Sequence, residues 1–393
     1  MGESTIRVSL YTICLMGFAL FVAGFISVFI GTAFDLSFSL QGFVVDEKVL
    51  FIAIVSLTFL ILLVLFWQRL PSWPTVRAIG VTAAVLSAVS LVLLLTGVLR
   101  FVVLDILGVA VGLLAYIWLC TLSSVRPHLY RRGYSFLSRS QVITGVLLMA
   151  LLTMVPLFSV IAIYISLLFS ACLGLLALYA TSAIASSSEA KESLEDADEP
   201  LPWTMSGKAL AIVFGYAVLM GVSVGYSVRY THVNLSALIF AVFLTIFGLC
   251  MYVLCERDLA RRLMEESIRF FVGVAALVAL SLSVFYGNWF CTVVVAMGSG
   301  LGFSSIFLRI GYFIKIATAG QRQHYRSTGI VLSAFFIGIL VGAMLSFYFF
   351  ENIDARMLGG IILVGLSISI GTVSIGRGGY NLQSESIREA EDY

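Results

Sequence analysis

The sequence predicts an all-α polytopic membrane protein, with twelve transmembrane helices in two six-helix halves and both termini on the cytoplasmic side. Three observations predict it. The mean hydropathy of the 393 residues is +1.08, with 61% hydrophobic residues against 11% charged. A soluble domain of this size would have too little polar surface to cover itself, so the bilayer is the solvent. Twelve apolar runs follow one another at the length that a spanning helix needs, about 20 residues. The basic residues then fall on alternating sides of those runs in a strongly biased way: nineteen Lys and Arg on the side of the N-terminus and four (Lys48, Arg100, Arg229, Arg356) on the other. Such a bias marks the nineteen-residue side as cytoplasmic.

The first half has spans near 8–34, 49–68, 78–98, 101–123, 141–158 and 160–184. The last two form one apolar stretch, too long for a single crossing. Pro156 removes a backbone donor there and marks the turn. A polar run follows, with Glu189, Glu192, Glu195, Asp196, Asp198 and Glu199 against Lys191. It buries too little apolar area to fold alone and reads as a solvated linker. The second half has spans near 208–228, 235–255, 269–287, 289–314, 328–350 and 357–376. The division is thus an N-terminal six-helix bundle over 1–185, an acidic cytoplasmic linker over 186–207, a C-terminal six-helix bundle over 208–377 and a cytoplasmic tail over 378–393.

Several function classes find no residues to rest on. The apolar run from Val8 to Phe34 is too long for the core of a cleaved signal. The six cysteines lie in apolar runs without a CxxC, so they read as small buried hydrophobes, with neither a disulfide framework nor a metal site. His128, His232 and His324 are read as loop residues, too scattered for a metal centre. A net charge of +2 suggests no direct nucleic-acid partner. No phosphate loop, zinc motif, nucleophile elbow or nucleotide fingerprint is present, so no enzyme reading and no cofactor is implied.

Small residues recur on single helix faces, which lets backbones approach closely. Gly17, Gly24 and Gly31 stand seven apart in span one. Gly108 and Gly112 in span four have a counterpart in Gly298 and Gly302 of span ten. Gly221 and Gly225 lie in span seven, and Gly338 and Gly342 in span eleven. The expected role is helix packing; the functional reading is that such faces let helices rock around a central cavity.

Twelve spans arranged six plus six around a long central cytoplasmic loop resemble the major facilitator superfamily. The resemblance implies two halves related by a two-fold axis along the membrane normal, with substrate between them near the midplane. The loop between spans two and three, Trp67 to Arg77, keeps that superfamily's positive charge but not its acidic residue or glycines. Arg100, Gly108 and Gly112 loosely match an Arg-then-glycine pattern in span four. The segments Gly112 to Trp118 and Gly338 to Gly342 are similar to the twelve-span membrane domain of bacterial LuxR-type regulators. The tail from Gly378 to Tyr393 is too short for a DNA-binding domain, so that resemblance implies a separate output protein.

Ionisable groups inside a membrane are costly, and each is a functional candidate. Asp105 lies five residues past Arg100, about 7.5 Å deeper at the helical rise. Two readings are open: an interfacial carboxylate hydrated or paired with Arg100, or a proton or cation site facing the cavity. Arg309 and Lys315 at the inner end of span ten either snorkel to headgroups or form an anion-binding gate. Tyr116, Tyr216 and Tyr226 are expected to line the cavity if the facilitator resemblance holds; packing and interfacial belts are the plainer explanation. The partners expected are the lipid bilayer and a small-molecule solute, with a cytoplasmic protein at the acidic linker as an open alternative. The function that follows is secondary transport of a small, largely apolar or aromatic solute by alternating access, in a bacterial inner membrane. The alternative is a non-transporting ligand sensor.

Overall fold

The computed structural model describes residues 3–30, 37–40, 43–68, 70–97, 100–124, 133–153, 156–185, 233–254 and 321–349, together with 210, 211, 213–215, 217, 218, 220–222, 300, 303 and 304. Eight long helices lie among them: α1 (Glu3–Ile30), α2 (Glu47–Leu65), α3 (Trp73–Thr96), α4 (Arg100–Ser124), α5 (Gly133–Thr153), α6 (Pro156–Ala185), α7 (Val233–Leu254) and α8 (Gln321–Met344). A π-helical turn, Leu345–Phe349, continues α8. Among the described residues, seven helices are long and apolar enough to cross a membrane. The chain is a multi-pass membrane protein.

The helix limits follow from local chemistry. Ser72 precedes α3 with Pro74 in its first turn, where a missing donor costs nothing. Gly97 closes α3 in the left-handed region at φ 70°, its N–H donating to the carbonyl of Leu94 at 3.3 Å. Helix α5 ends at Thr153 and α6 begins at Pro156, the break expected at that proline. Between α1 and α2 the chain forms an antiparallel hairpin, β1 (Ser37–Leu40) with β2 (Phe43–Asp46), in register from Ser37↔Asp46 to Leu40↔Phe43. The all-helix expectation omitted it. Alternating Ser and apolar residues followed by Phe and two valines are strand chemistry, and they lie outside the apolar windows.

Helices α5 and α8 begin furthest ahead of where hydropathy placed them. Helix α5 starts at Gly133 and α8 at Gln321, each about two turns ahead of its apolar run. Arg139, Arg326 and His324, read as loop residues, therefore lie on helices. The linker over 186–207, the tail over 378–393, and Gly31, Tyr216, Gly225, Tyr226, Gly298, Gly302 and Arg309 lie outside the described residues.

Pairwise contacts fix the helix directions. Helices α1 and α6 are antiparallel: a Cβ at Gly17 would stand 2.8 Å from Leu173, and one at Gly24 2.7 Å from the Ser166 hydroxyl. Helices α2 and α4 are parallel, with Gly108 against Ile54 and Gly112 against Thr58. Helices α1 and α5 are parallel, through Tyr11 on Phe136 and the Thr144 hydroxyl on the carbonyl of Ala19. Helix α7 runs against α5, and α8 against α2. The starts of α1, α3, α5 and α8 and the ends of α2, α4, α6 and α7 thus share one end of the bundle, the end that carries Glu3.

Packing inside the first half joins polar groups across helices. The Trp118 indole N–H donates to the Ser170 hydroxyl at 2.9 Å, and that hydroxyl donates to the carbonyl of Gly17 at 2.7 Å. Ser90 on α3 meets the Tyr164 hydroxyl at 2.8 Å and the carbonyl of Val103 at 2.9 Å. Helix α3 shows the arrangement most plainly: it buries Gly80, Ala83, Ser87 and Ser90 and exposes Val81, Val85, Val89 and Val92. Small and polar residues face the protein and large apolar ones face the lipid, the membrane form of helix packing.

Candidate solute pathway between the halves

Among the described residues, a set of polar contacts joins the first six-helix segment to the later chain toward the Glu3 end. At the α2–α8 seam, Arg326 Nε donates to the carbonyl of Trp67 at 3.0 Å, with its guanidinium 5.3 Å from the indole centroid. At the α5–α7 seam, Arg139 Nη2 donates to the Tyr252 hydroxyl at 3.0 Å. Its guanidinium lies 4.6 Å from the Tyr252 ring centroid and 5.9 Å from that of Tyr11. Between the seams, the Tyr325 hydroxyl donates to that of Tyr116 at 2.9 Å, and both residues are buried. These bonds tie the two segments together at the Glu3 end, a closure made of described residues.

Above this closure runs a chain of phenylalanine rings. Phe51 on α2 packs on Phe25 of α1, and Phe25 meets Phe336 of α8 edge-on at 5.8 Å. Phe336 also meets Phe59 at 5.2 Å and Phe335 at 5.6 Å. Phe335 continues to Phe303, and Phe303 to Phe240 of α7, each at 6.2 Å. Seven rings, all buried, pass without a gap from the first segment to the later helices, at separations typical of favourable aromatic pairs.

The sequence-predicted residues fall in different places. Tyr116 lies in the closure, bonded to Tyr325. Asp105 is half-buried on α4, about one turn past Arg100, which opens the helix. Gly17, Gly24, Gly108 and Gly112 lie at close helix contacts inside the first half. Gly221, Gly338 and Gly342 lie where the helical residues over 213–222 pack on α8; a Cβ at Gly338 would stand 2.6 Å from that of Ala217 and 2.8 Å from the carbonyl of Phe214. Among the described residues, no three His, Cys, Asp or Glu residues come together as a metal site.

Apart from Tyr116, the closure residues were not among the sequence candidates. Arg139, Arg326 and His324 fall outside the apolar windows, where a basic side chain reads as a snorkelling anchor. His324 is buried, its Nδ1 3.1 Å from the Thr328 hydroxyl. Gln141 stands at the edge of its window and is 1% exposed. Glu47 and Lys48, the latter read as an outer loop residue, are buried at the start of α2. Polar residues in the first two turns of a membrane helix were the available signal. Which aromatic each would meet was not legible.

No family model and no curated protein matches the sequence. The fold is that of major facilitator superfamily transporters. A bacterial homologue of the iron transporter ferroportin in the outward-facing state matches with a TM-score of 0.60 at 16% identity, over 93% of this chain and 98% of that one. The same homologue with soaked iron matches with a TM-score of 0.61 at 14% identity, over 95% and 98%. The major facilitator superfamily transporter FucP in the outward conformation matches with a TM-score of 0.55 at 14% identity, over 92% and 98%. At these identities the likeness is one of fold. It lends no support to the narrower comparison with LuxR-type membrane domains.

Proposed function

We propose that the protein is a secondary transporter for a small, largely apolar or aromatic solute, held between its two halves and moved by alternating access. The observation that carries this reading is the phenylalanine chain from Phe51 to Phe240. It packs as an apolar, π-rich wall between both segments, buried in this state, above an end tied by hydrogen bonds, and the solute reaches it when the halves part. A wall of this chemistry favours flat apolar solutes and gives charged ones no partner. The fold supports the reading, since transporters share it. The basic-residue bias supports cytoplasmic termini, so on this reading the Glu3 end faces the cytoplasm of a bacterial cell. Asp105 is the coupling carboxylate of this reading. Tyr216, Tyr226 and Arg309 stay candidates of this reading on the sequence alone, and the glycine faces give the helices room to rock.

The test is flux of radiolabelled aromatic solutes into proteoliposomes, with and without a proton gradient, beside a thermal-shift binding screen. Saturable flux accelerated by the gradient is expected. Asp105→Asn abolishes the gradient's effect and leaves binding within about twofold. Binding without flux overturns transport; the chain is then a ligand sensor that signals through a separate cytoplasmic protein. Neither binding nor flux across the aromatic panel overturns the solute class.

A further inference from the structure

The phenylalanine chain ends beside an incompletely paired polar group. Ser304 follows Phe303 in sequence, is fully buried, and accepts a hydrogen bond on its carbonyl from Gln141 Nε2 at 2.9 Å. Gln141 is on α5 and Ser304 is in the later half, so this bond crosses between the halves. A glutamine side chain has two donors and an acceptor oxygen with two lone pairs. Here Oε1 of Gln141 and the hydroxyl of Ser304 both find no hydrogen-bond partner among the described residues. Leaving such groups unmet in a buried place is costly, because each loses its water without gaining a partner.

The position of Gln141 is built by glycines. Gly248 of α7 faces it: a Cβ there would stand 3.1 Å from both the Gln141 Cβ and the backbone nitrogen of Val142. Gly145, one turn along α5, packs directly on Thr245. The two backbones thus close on each other and hold the carboxamide at the seam. Thr144 does not supply the missing partners, because its hydroxyl is turned to the carbonyl of Ala19 at 3.3 Å. Arg139 lies two residues before Gln141 and has its guanidinium between Tyr11 and Tyr252.

We infer that Gln141 and Ser304 form a polar subsite for the solute, which therefore carries a neutral group that both donates and accepts, a hydroxyl being the smallest, on its aromatic body. This rests on the proposed aromatic-solute reading and narrows it. When the halves part at the Glu3 end, the bond between Gln141 and Ser304 breaks. The solute hydroxyl then donates to Oε1 of Gln141 and accepts from the Ser304 hydroxyl, so the solute replaces the seam bond that opening removes. A solute with this group binds the parted state better and shifts the population toward it. One lacking it fills the aromatic wall but does not favour opening.

The test uses the full chain in nanodiscs and the matched probes 2-phenylethanol and ethylbenzene. Two readings are taken: apparent affinity from thermal-shift titration, and labelling by a membrane-permeant maleimide of Cys120, buried about one turn past Tyr116 on α4, resolved by peptide mass spectrometry. The native protein is expected to prefer the alcohol by about three- to tenfold, the worth of one hydrogen bond. The alcohol is also expected to speed Cys120 labelling, while ethylbenzene does not. Gln141→Leu and Ser304→Ala each remove the preference while keeping ethylbenzene affinity; Ser304→Ala is the smaller change and stands if Gln141→Leu folds poorly. Each affinity is referred to the probe's concentration in the bilayer, measured by its partition into empty nanodiscs, so the different lipophilicities of the two probes drop out. Equal affinity of the two probes for the native protein overturns the subsite and leaves the aromatic reading intact, as does a preference that survives in both variants. Binding of neither probe overturns the aromatic reading and the subsite with it.

Discussion

The two seams at the closed end use the same pair of groups in opposite arrangement. At one, α8 of the later half supplies Arg326 to Trp67 at the end of α2. At the other, α5 of the first half supplies Arg139 to Tyr252 at the end of α7. Each half thus gives one guanidinium near a helix start and one aromatic near a helix end. The seams differ in what lies around that contact. Arg326 bonds to a backbone carbonyl and covers one ring, beside Gly329, where a Cβ would stand 2.6 Å from Leu63. Arg139 bonds to a side-chain hydroxyl, meets two rings, and sits above the close contacts of Gly145 and Gly248. The α5–α7 seam is the more tightly fitted, and the α2–α8 seam relies on a partner that no substitution of Trp67 removes.

Breaking the tighter seam by volume is expected to have the largest effect. Gly248→Leu puts a side chain where Gln141 and the backbone of Val142 already stand at 3.1 Å. Overpacking of this kind costs about 1–3 kcal/mol, and here it acts on the closed state. The expected outcome is a lower melting temperature and labelling of Cys120 at least tenfold faster than in the native protein. Unchanged labelling would show that the α5–α7 contact does not hold the end shut.

Removing the guanidinium groups ranks next and compares the seams directly. Arg139→Ala loses a charge-assisted bond and two ring contacts; Arg326→Ala loses a bond and one. Such bonds contribute about 1.5–3 kcal/mol, and a cation–ring contact about 0.5–2 kcal/mol. Arg139→Ala is expected to raise Cys120 labelling more than Arg326→Ala, with either lysine variant recovering part of the effect. The reverse order would place the main closure at the α2–α8 seam.

The unequal legibility of the molecule has a physical source. Spans and breaks were readable because lipid imposes one requirement along the whole chain: an apolar run long enough to cross, ended by residues such as Pro156 and Gly97. The lipid-facing valines of α3 and its buried Ser87 and Ser90 follow from the same requirement. The closure was not readable, because Arg139 and Arg326 stand in the opening turns of α5 and α8, where composition does not separate an anchor in the headgroups from a bond across the bundle. Tyr116 was singled out by type, but its partner Tyr325 lies 209 residues away, and no local pattern joins them. The hairpin between α1 and α2 was missed because windows scanned for twenty apolar residues pass over a four-residue strand.

The smallest effect is expected where the two halves touch between the seams. Tyr325→Phe removes one hydroxyl and leaves that of Tyr116 buried with the Cys120 thiol as its remaining hydrogen-bond partner. The cost is about 1 kcal/mol, most of it the desolvation of the group left behind. Tyr116→Phe is expected to cost a similar amount for the same reason. The double variant removes both hydroxyls and leaves two phenyl rings in the edge-on arrangement that the native rings already have, 87° between planes with centroids 6.3 Å apart. It is therefore expected to be closer to the native protein in melting temperature and Cys120 labelling than either single variant. If the two losses instead add, the bond between Tyr116 and Tyr325 is a net stabiliser of the closed end, and the closure rests on three contacts and not on two seams.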